Sequence, residues 1–337
     1  MTGAGAPGAP GIIKCLLQAK WINLTVGDCD ADAIGSRLHC QFVQLPKATD
    51  AGFISTLLRT CKEKNINLIL PLVTKELLPL AGAKNLLNDA GIKVLVSSPE
   101  AIELANNKTS CYQFLKEKGL AVPQFSIART VEEFKQAVVN LGYPKKPLCF
   151  KPACSNGSRG FRVITDGAND PDILFNSKPN NTGITYAEAI RILSLQPFPE
   201  LLVSEYFPGD EYTIDCIADQ GKTKLIVPRL RIKMVNGIST AGLFVKDETI
   251  DAYCADIINA LGLHGNVGIQ VKRSASGVPL LLEINPRVQG TIVAALGAGV
   301  NLPLLAIKQE IGISIEPKEM NVAWGTKFYR YWTEVFS

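Results

Sequence analysis

The segment "LLLEINPRVQG", residues 280–290, decides how the rest of the chain is interpreted. Its leucines are typical of a buried strand, but polar side chains follow at Glu283, Asn285 and Arg287, and Pro286 ends the regular structure. Because alternate residues of a strand share a face, Glu283 and Asn285 are predicted to point the same way. A buried carboxylate is unfavourable unless a cation or hydrogen-bond donor is paired with it. The segment therefore predicts a cation beside Glu283.

Two different cations satisfy this requirement. Gln270, in the predicted neighbouring strand "GNVGIQV", adds a second amide oxygen to the face that carries Glu283 and Asn285. Such a set of oxygen ligands suits Mg²⁺, which proteins usually hold with one or two carboxylates together with substrate phosphates. The alternative is a buried ion pair between Glu283 and Arg287, and the sequence leaves both interpretations open.

A second polar motif is "FKPACSNGSRG", residues 150–160. Lys151 ends a predicted strand and precedes a loop of small residues. Glycines allow the backbone to approach a polyphosphate, and a lysine supplies a point charge. The order differs from that of a P-loop, in which the lysine follows the glycines. The motif predicts a phosphate-binding loop, with an ordinary polar hairpin as the alternative.

The N-terminal stretch "TGAGAPGAPG" contains the pattern G-x-G-x-x-G at Gly3, Gly5 and Gly8, with Asp28 about 20 residues later. Only two residues precede Gly3, so we expect the first strand of this domain to be missing, and two prolines lie where a helix should begin. The pattern is compatible with an NAD-dependent oxidoreductase. It is also compatible with a Rossmann-like domain whose glycine turn has another role.

Composition excludes several classes of protein. The net charge is +4 over 337 residues and the basic residues are dispersed, so no basic stripe for nucleic acid is predicted. The nine cysteines form no C-x-x-C pair, which argues against a disulfide framework and a zinc site. No uninterrupted apolar stretch approaches the roughly 20 residues of a membrane helix. We therefore expect a cytoplasmic protein that binds neither nucleic acid nor a membrane.

The order of predicted elements indicates two kinds of sheet. Residues 1–105 alternate β-rich runs (22–28, 66–72 and 92–98) with helical patterns, which predicts parallel strands with crossover helices. A helix follows at 106–118, and the later β-rich runs are spaced as in a largely antiparallel sheet. Residues 165–183 are predicted to form a surface loop, and residues 291–312 a single helix. An aromatic strand closes the chain.

Taken in order, these segments resemble the ATP-grasp superfamily, and most closely the single-module relatives of the carbamoyl-phosphate synthetase large subunit. The resemblance extends to "VPRLRIK" (227–233), "NPRVQGTIVAALGAGVNLPLLAIK" (285–308) and "WGTKFYRYW" (324–332). It implies an α/β and α+β chain. A Rossmann-like pre-ATP-grasp domain (1–105, lacking its first strand) would precede a two-subdomain ATP-grasp fold (106–337), with a lid subdomain at about 121–204.

The resemblance also assigns roles by motif position. Phosphate contacts fall to Lys108 and Lys151, with a closing loop that includes Ser155, Asn156, Gly157, Ser158 and Gly160. Adenine recognition falls to the segment Glu205, Tyr206 and Phe207, and the ribose to Glu211. Mg²⁺ binding falls to Gln270, Glu283 and Asn285, and the transferring phosphoryl group to Arg287 with Arg231 or Lys233. Gln289, Gly290, Gly5 and Gly8 would border the acceptor. Two positions differ from the family pattern: Asn107 stands where Asp is usual, and Gln270 where an acid is frequent.

The activity that the resemblance implies is that of an ATP- and Mg²⁺-dependent ligase. A carboxylate would attack the γ-phosphate to give an acyl phosphate, and an amine would displace phosphate from it. The expected partners are small-molecule carboxylates and amines, with weak homodimerisation as in the family. The alternatives are the NAD-dependent oxidoreductase, a nucleotide-binding ATP-grasp protein without turnover, and a small-molecule kinase.

Overall fold

The structure, a computed structural model, describes residues 1–38, 41–155, 157, 159–165, 182–235 and 237–336. The chain divides into two compact units. Unit 1 comprises Met1–Ala105, Glu211–Val271 and Leu282–Ser337, and unit 2 comprises Asn106–Asp210 and Lys272–Leu281. Most of the surface loop predicted over 165–183 lies outside the described residues.

The elements are numbered in chain order. The α-helices are α1 (Ala9–Leu16), α2 (Phe53–Glu63), α3 (Thr74–Gly82), α4 (Lys84–Asp89), α5 (Pro99–Asn106), α6 (Lys108–Glu117), α7 (Val131–Asn140), α8 (Tyr186–Leu193), α9 (Glu248–Leu261) and α10 (Leu302–Ile311). The strands are β1 (Thr25–Asp28), β2 (Gln41–Gln44), β3 (Leu68–Ile69), β4 (Lys93–Val94), β5 (Phe125–Ala128), β6 (Leu148–Pro152), β7 (Arg162–Ile164), β8 (Gly183–Ile184), β9 (Leu201–Glu205), β10 (Glu211–Asp219), β11 (Lys222–Val235), β12 (Ile238–Phe244), β13 (Gly265–Arg273), β14 (Pro279–Asn285) and β15 (Lys327–Tyr329). Short 3₁₀ helices cover Ile34–Arg37, Ile292–Ala298 and Pro317–Met320.

The N-terminal part of unit 1 is Rossmann-like. Strands β1 and β2 pair in parallel, as do β3 and β4. Thr2 forms parallel bridges to both Gly27 and Pro71. The N–H of Thr2 donates to the carbonyl of Leu70 at 3.1 Å, and the N–H of Gly27 donates to that of Met1 at 2.9 Å. Met1 and Thr2 thus lie where the sequence predicted a missing strand.

Helix α1 begins despite the prolines that argued against it. Gly8 is its N-cap residue and Pro10 lies in its first turn. The first N–H groups of a helix have no intrahelical partner, so proline removes no hydrogen bond there. The sequence interpretation of these prolines was therefore wrong.

A six-stranded sheet has the order β14-β13-β10-β11-β12-β15, and its strands β10, β11, β12 and β15 belong to unit 1. Its central strands β10, β11 and β12 are antiparallel. Ile217, Val227 and Phe244 from these strands join a core that also includes residues of α1 and α10. This antiparallel sheet agrees with the strand spacing in the sequence.

The single helix predicted over 291–312 is two helices. The 3₁₀ segment ends at Gly299, whose φ of 86° is left-handed, and Asn301 caps α10. The two segments are bent by 99°. Among the described residues no single helix is long and apolar enough to cross a membrane, and only this bent pair meets that test, by length and composition.

Unit 2 is built on a five-stranded sheet in the order β5-β9-β6-β7-β8. Strand β6 is antiparallel to both of its neighbours. The rings of Phe134 on α7 and Phe150 on β6 meet edge to face with centroids 5.1 Å apart, inside the core of this unit. The opposite side chain on β6, Lys151, is consequently directed away from that core.

Candidate active site

Unit 2 carries the two lysines predicted to bind phosphate. Lys108 is the first residue of α6, and its Nζ donates to the carbonyl of Ser155 at 2.6 Å. Its backbone N–H donates to the carbonyl of Ala153 at 2.9 Å. Lys151 is buried on β6, with its ammonium 5.7 Å from the ring centroid of Tyr112, a cation–π distance. Lys108 is therefore bonded to the segment that enters the predicted phosphate loop, and Lys151 belongs to the strand that leads into it.

The loop after β6 requires glycine at two positions. Gly157 and Gly160 have φ values of 63° and 74°, which residues other than glycine rarely adopt. A Cβ on Gly160 would also lie 2.7 Å from the ring of Pro152. The predicted ligands Asn156 and Ser158 lie outside the described residues.

Asn107, which replaces the usual aspartate, has a structural role as the N-cap of α6. Its side-chain oxygen accepts hydrogen bonds of 3.1 Å from the N–H groups of Thr109 and Ser110. An amide oxygen caps a helix about as well as a carboxylate oxygen does. The substitution therefore preserves the position of Lys108 at the start of the helix.

The segment predicted to recognise adenine begins at the last residue of β9. The Glu205 carboxylate accepts a hydrogen bond of 2.7 Å from the N–H of Gln124. The ring of Tyr206 lies 4.5 Å from the ammonium of Lys272, and Phe207 is buried. The Glu205 side chain thus anchors the chain near β5.

Unit 1 carries the carboxylate of the opening segment, and a continuous series of hydrogen bonds surrounds it. Nδ2 of Asn285 donates to Oε1 of Glu283 at 3.3 Å. Nη2 of Arg287 donates to Oδ1 of Asn285 at 3.2 Å, and its Nε donates to Oγ1 of Thr74 at 3.1 Å. Burial lowers the pKa of Arg287, and the negative charge of Glu283 opposes that change. Asn285 therefore lies between Glu283 and Arg287, where the alternative interpretation expected a direct ion pair.

The side-chain oxygens of Glu283, Asn285 and Gln270 fit a metal ion whose coordination is completed by a nucleotide. The described residues contain no group of three or more His, Cys, Asp or Glu side chains that would hold a metal. Glu283 and Asn285 are half-buried on β14, and Gln270 is half-buried on the adjacent β13. One carboxylate with amide oxygens suits Mg²⁺ completed by phosphate oxygens, and does not suit an all-protein cage.

The sequence predicts that Arg231 contacts the phosphoryl group and that Glu211 contacts the ribose. In the structure these two side chains bind each other. Arg231 on β11 forms an ion pair with Glu211 at the start of β10. Its Nε also donates to Oγ of Ser239 at 3.0 Å, and its Nη2 donates to the carbonyl of Gly237. Lys233, the alternative cation, is exposed. The antiparallel register places Glu211 and Arg231 side by side, which spacing in the sequence does not disclose.

The N-terminal glycine loop packs against the segment that follows Arg287. A Cβ on Gly8 would lie 2.3 Å from Cα of Gly290. The N–H of Gly5 donates to Oδ2 of Asp28 at 2.7 Å. The glycines therefore have a packing role that needs no dinucleotide, and Asp28 already binds the loop.

Gln289 is buried rather than open to an acceptor. Its Nε2 donates to the carbonyl of Ile214 at 3.1 Å and to Oδ1 of Asp215 at 3.3 Å. A Cβ on Gly268 would lie 2.1 Å from the Gln289 side chain, so this glycine makes room for it. Gln289 thus fixes the loop that carries Arg287 and Gly290.

Two residues near this loop were not found by sequence reasoning. Thr74 accepts the hydrogen bond from Arg287, and Glu76, two residues later, accepts one of 2.6 Å from the hydroxyl of Thr2. Burial raises the pKa of Glu76 to about 7. Both belong to the first turn of α3, and no motif in the sequence distinguishes them from ordinary residues at a helix start.

Comparisons with known proteins agree with this architecture. Residues 197–329 match the family described as ATP-grasp in the biosynthetic pathway with Ter operon, and residues 11–95 match the PylC-like N-terminal domain. Two solved structures share the fold. An N5-carboxyaminoimidazole ribonucleotide synthetase in complex with ADP superposes with a TM-score of 0.71 at 14% identity, over 96% of this chain and 78% of the other. A Campylobacter jejuni biotin carboxylase complex superposes with a TM-score of 0.68 at 16% identity, over 94% and 71%.

Curated relatives include carbamoyl phosphate synthase large chains. That of Arthrobacter sp. (strain FB24) is 27% identical over an alignment of 241 residues, and the match covers 68% of this chain and 20% of the relative. That of Paenarthrobacter aurescens (strain TC1) is 29% identical over 239 residues, with the same coverage. The chain therefore spans about a fifth of the length of these relatives.

Proposed function

We propose that this chain, which belongs to the ATP-grasp superfamily, is an ATP- and Mg²⁺-dependent ligase that activates a carboxylate as an acyl phosphate for attack by an amine. The observation that carries the proposal is the hydrogen-bonded series Glu283, Asn285 and Arg287 at the end of β14. It offers oxygen ligands and a guanidinium within one short segment. This combination suits a reaction in which negative charge moves between phosphate oxygens.

The chemistry requires little covalent participation by the protein. A carboxylate oxygen attacks the γ-phosphorus, the bond to the β,γ-bridging oxygen breaks, and ADP leaves. The amine nitrogen then attacks the acyl carbon, phosphate leaves, and the nitrogen loses a proton. Positioning and charge stabilisation supply most of the acceleration in phosphoryl transfer.

Each proposed role follows from the chemistry of the side chain. Mg²⁺ bound by Glu283 and Asn285 would neutralise charge on the phosphates of ATP. Lys108 and Lys151 bind phosphate oxygens as point charges. Arg287, held by Thr74, donates to the phosphoryl oxygens or to the carboxylate. The ion pair between Arg231 and Glu211 has to open before Arg231 contacts the phosphoryl group or the carboxylate. We therefore assign Arg231 a supporting role.

A nucleotide-binding protein without turnover is the second candidate. It is favoured by the ion pair between Arg231 and Glu211, which engages both side chains. It also agrees with the amide Gln270 at a position where the family resemblance implies an acid. The oxidoreductase has less support, because the N-terminal glycines pack on Gly290 and Asp28 is bonded to Gly5.

A coupled assay of ADP release over small carboxylates and amines, with and without Mg²⁺, separates these candidates. The proposed ligase releases ADP over many turnovers only when a carboxylate, an amine and Mg²⁺ are all present, because the amine is needed to discharge the acyl phosphate formed in the first step. Thermal stabilisation by Mg·ATP without ADP release over the whole panel would favour the protein without turnover. Stabilisation by NADH and not by Mg·ATP would contradict both ATP-grasp proposals.

A further inference from the structure

A second cationic centre lies in unit 1, one pleat along β11 from Arg231. Arg229 is only 1% exposed. Its Nε donates to Oδ2 of Asp215 at 2.8 Å, and its Nη2 donates to Oγ1 of Thr291 at 2.9 Å. Its Nη1 is buried and has no hydrogen-bond partner among the described residues. A charged N–H group buried in this way is unfavourable, so a ligand that accepts its hydrogen bond would bind with a gain in free energy.

Among the described residues, the acid that forms an ion pair with Arg229 is Asp215. Asp215 is fully buried, and it accepts hydrogen bonds at Oδ2 from Arg229 and at Oδ1 from Gln289. A second guanidinium, that of Arg330, is half-buried near Arg229, and its pKa is lowered by burial and by the positive charge of Arg229. Arg330 thus adds a second positive charge close to Arg229, whose partner Asp215 already has both of its oxygens engaged. These three groups, Arg229, Arg330 and Asp215, together carry one more positive than negative charge.

The aromatic strand β15 borders the region around Arg229. The Arg229 guanidinium lies 5.6 Å from the ring centroid of Phe328 on β15. The N–H of Arg330 donates to the carbonyl of Thr240 at 2.8 Å, which fixes the backbone just after β15. Phe328 and Arg330 are therefore held in place by the edge of the six-stranded sheet.

We propose that Arg229 Nη1, Arg330 and the hydroxyl of Thr291 form a binding site for a small oxyanion, and that its ligand is a carboxylate of the substrate. The assignment to substrate rests on the proposed ligase function. Thr291 follows Gly290, which packs on Gly8, and lies four residues after Arg287. The site is thus next to the segment that borders the predicted acceptor. A planar guanidinium with a free nitrogen favours a carboxylate, which it binds in its own plane.

Thermal unfolding in the absence of nucleotide tests the site, with malonate and inorganic phosphate as probes and chloride at matched ionic strength as the background. We expect malonate to raise the unfolding temperature in a saturable manner. In Arg330→Gln the half-saturating concentration should rise about tenfold, the effect of losing one charged hydrogen bond. Arg59→Gln, which removes an exposed arginine of the same unit, should behave like the wild type.

Further outcomes decide the proposal. Identical titrations for the wild type and Arg330→Gln would overturn it. Because Arg330 is half-buried, this variant is expected to fold; Arg229→Lys keeps a cation beside Asp215 but removes the free Nη1, and it should also weaken malonate binding. A preference for phosphate over malonate would overturn the assignment to substrate. The malonate titration contains no ATP, so its outcome does not depend on the ligase reaction. If malonate binds but the separate assay with ATP detects no ADP release, the ligase is rejected and the oxyanion site stands.

Discussion

Nε of Arg287 donates a hydrogen bond of 3.1 Å to Oγ1 of Thr74, a residue 213 positions earlier in the chain. The bond joins the loop after β14 to the first turn of α3. Because Nη2 of the same guanidinium binds Asn285, the two contacts fix the plane of the group. Thr74 is therefore a positioning residue, which acts on the site through Arg287.

Replacing Thr74 with Val retains the shape of the side chain and removes the acceptor. We expect kcat/KM for the carboxylate substrate to fall about tenfold, the usual effect of losing one hydrogen bond to a charged group. Thr74→Ser should restore most of the activity. Thr56→Val, on α2 of the same unit, is the control. Equal activity of Thr74→Val and the wild type would show that this bond does not position Arg287.

Glu283→Gln removes the carboxylate from the proposed Mg²⁺ site and preserves its size. We expect ADP release to fall by about 100-fold or more, with a higher Mg²⁺ concentration required for half-maximal rate, because an amide oxygen is a weaker ligand for a hard cation. The assay is a Mg²⁺ titration at saturating ATP. Glu63→Gln on the exposed face of α2 should not change either quantity. An unchanged Mg²⁺ dependence in Glu283→Gln would remove Glu283 from the metal site.

Gly8→Ala tests whether the N-terminal glycine serves packing. The new Cβ would lie 2.3 Å from Cα of Gly290, a backbone atom that cannot rotate away. We expect a loss of about 1–3 kcal/mol in the free energy of unfolding. Gly82→Ala, at the end of α3, places its Cβ where no atom lies within 4 Å and should be neutral or stabilising by up to about 1 kcal/mol. Denaturant titration compares them, and equal effects would contradict the packing role.

Glu76 makes stability depend on pH. Burial raises the pKa of its carboxyl from an ordinary 4.5 to about 7, so between these values the folded chain holds a proton that the unfolded chain has lost. This contribution is fully present below about pH 4.5 and is lost as the pH rises through about 7. Relative to Glu76→Gln, the wild type should lose up to about 3 kcal/mol between about pH 5 and pH 8. Parallel pH profiles in denaturant would show that Glu76 is ionised in both states.

Much of the fold could be predicted because it depends on local patterns. The β-rich run at 66–72 contains β3, and the helix predicted at 106–118 contains α6. Local reasoning failed where one residue type is compatible with two different local structures. Proline was interpreted as a helix breaker, but Pro10 occupies the first turn of α1. Gly299 was included in a continuous helix, but its positive φ ends one.

The candidate site was predictable only within single segments. Glu283, Asn285 and Arg287 were found together because strand alternation and a following proline place them close in space. The bond between Arg287 and Thr74, and the ion pair between Arg231 and Glu211, depend on tertiary packing and strand register. No spacing rule in one sequence specifies either. The proposed Mg²⁺ and ATP ligands remain predictions of the family resemblance.

The fate of the carboxylate oxygen tests the central claim most directly. With a carboxylate labelled with ¹⁸O, attack on the γ-phosphorus makes one labelled oxygen the bridge of the acyl phosphate, and displacement by the amine transfers it to the departing phosphate. Mass spectrometry of the released inorganic phosphate should then show one ¹⁸O per molecule. Phosphate without label, formed together with ADP and ligated product, would contradict an acyl phosphate and with it the proposed mechanism.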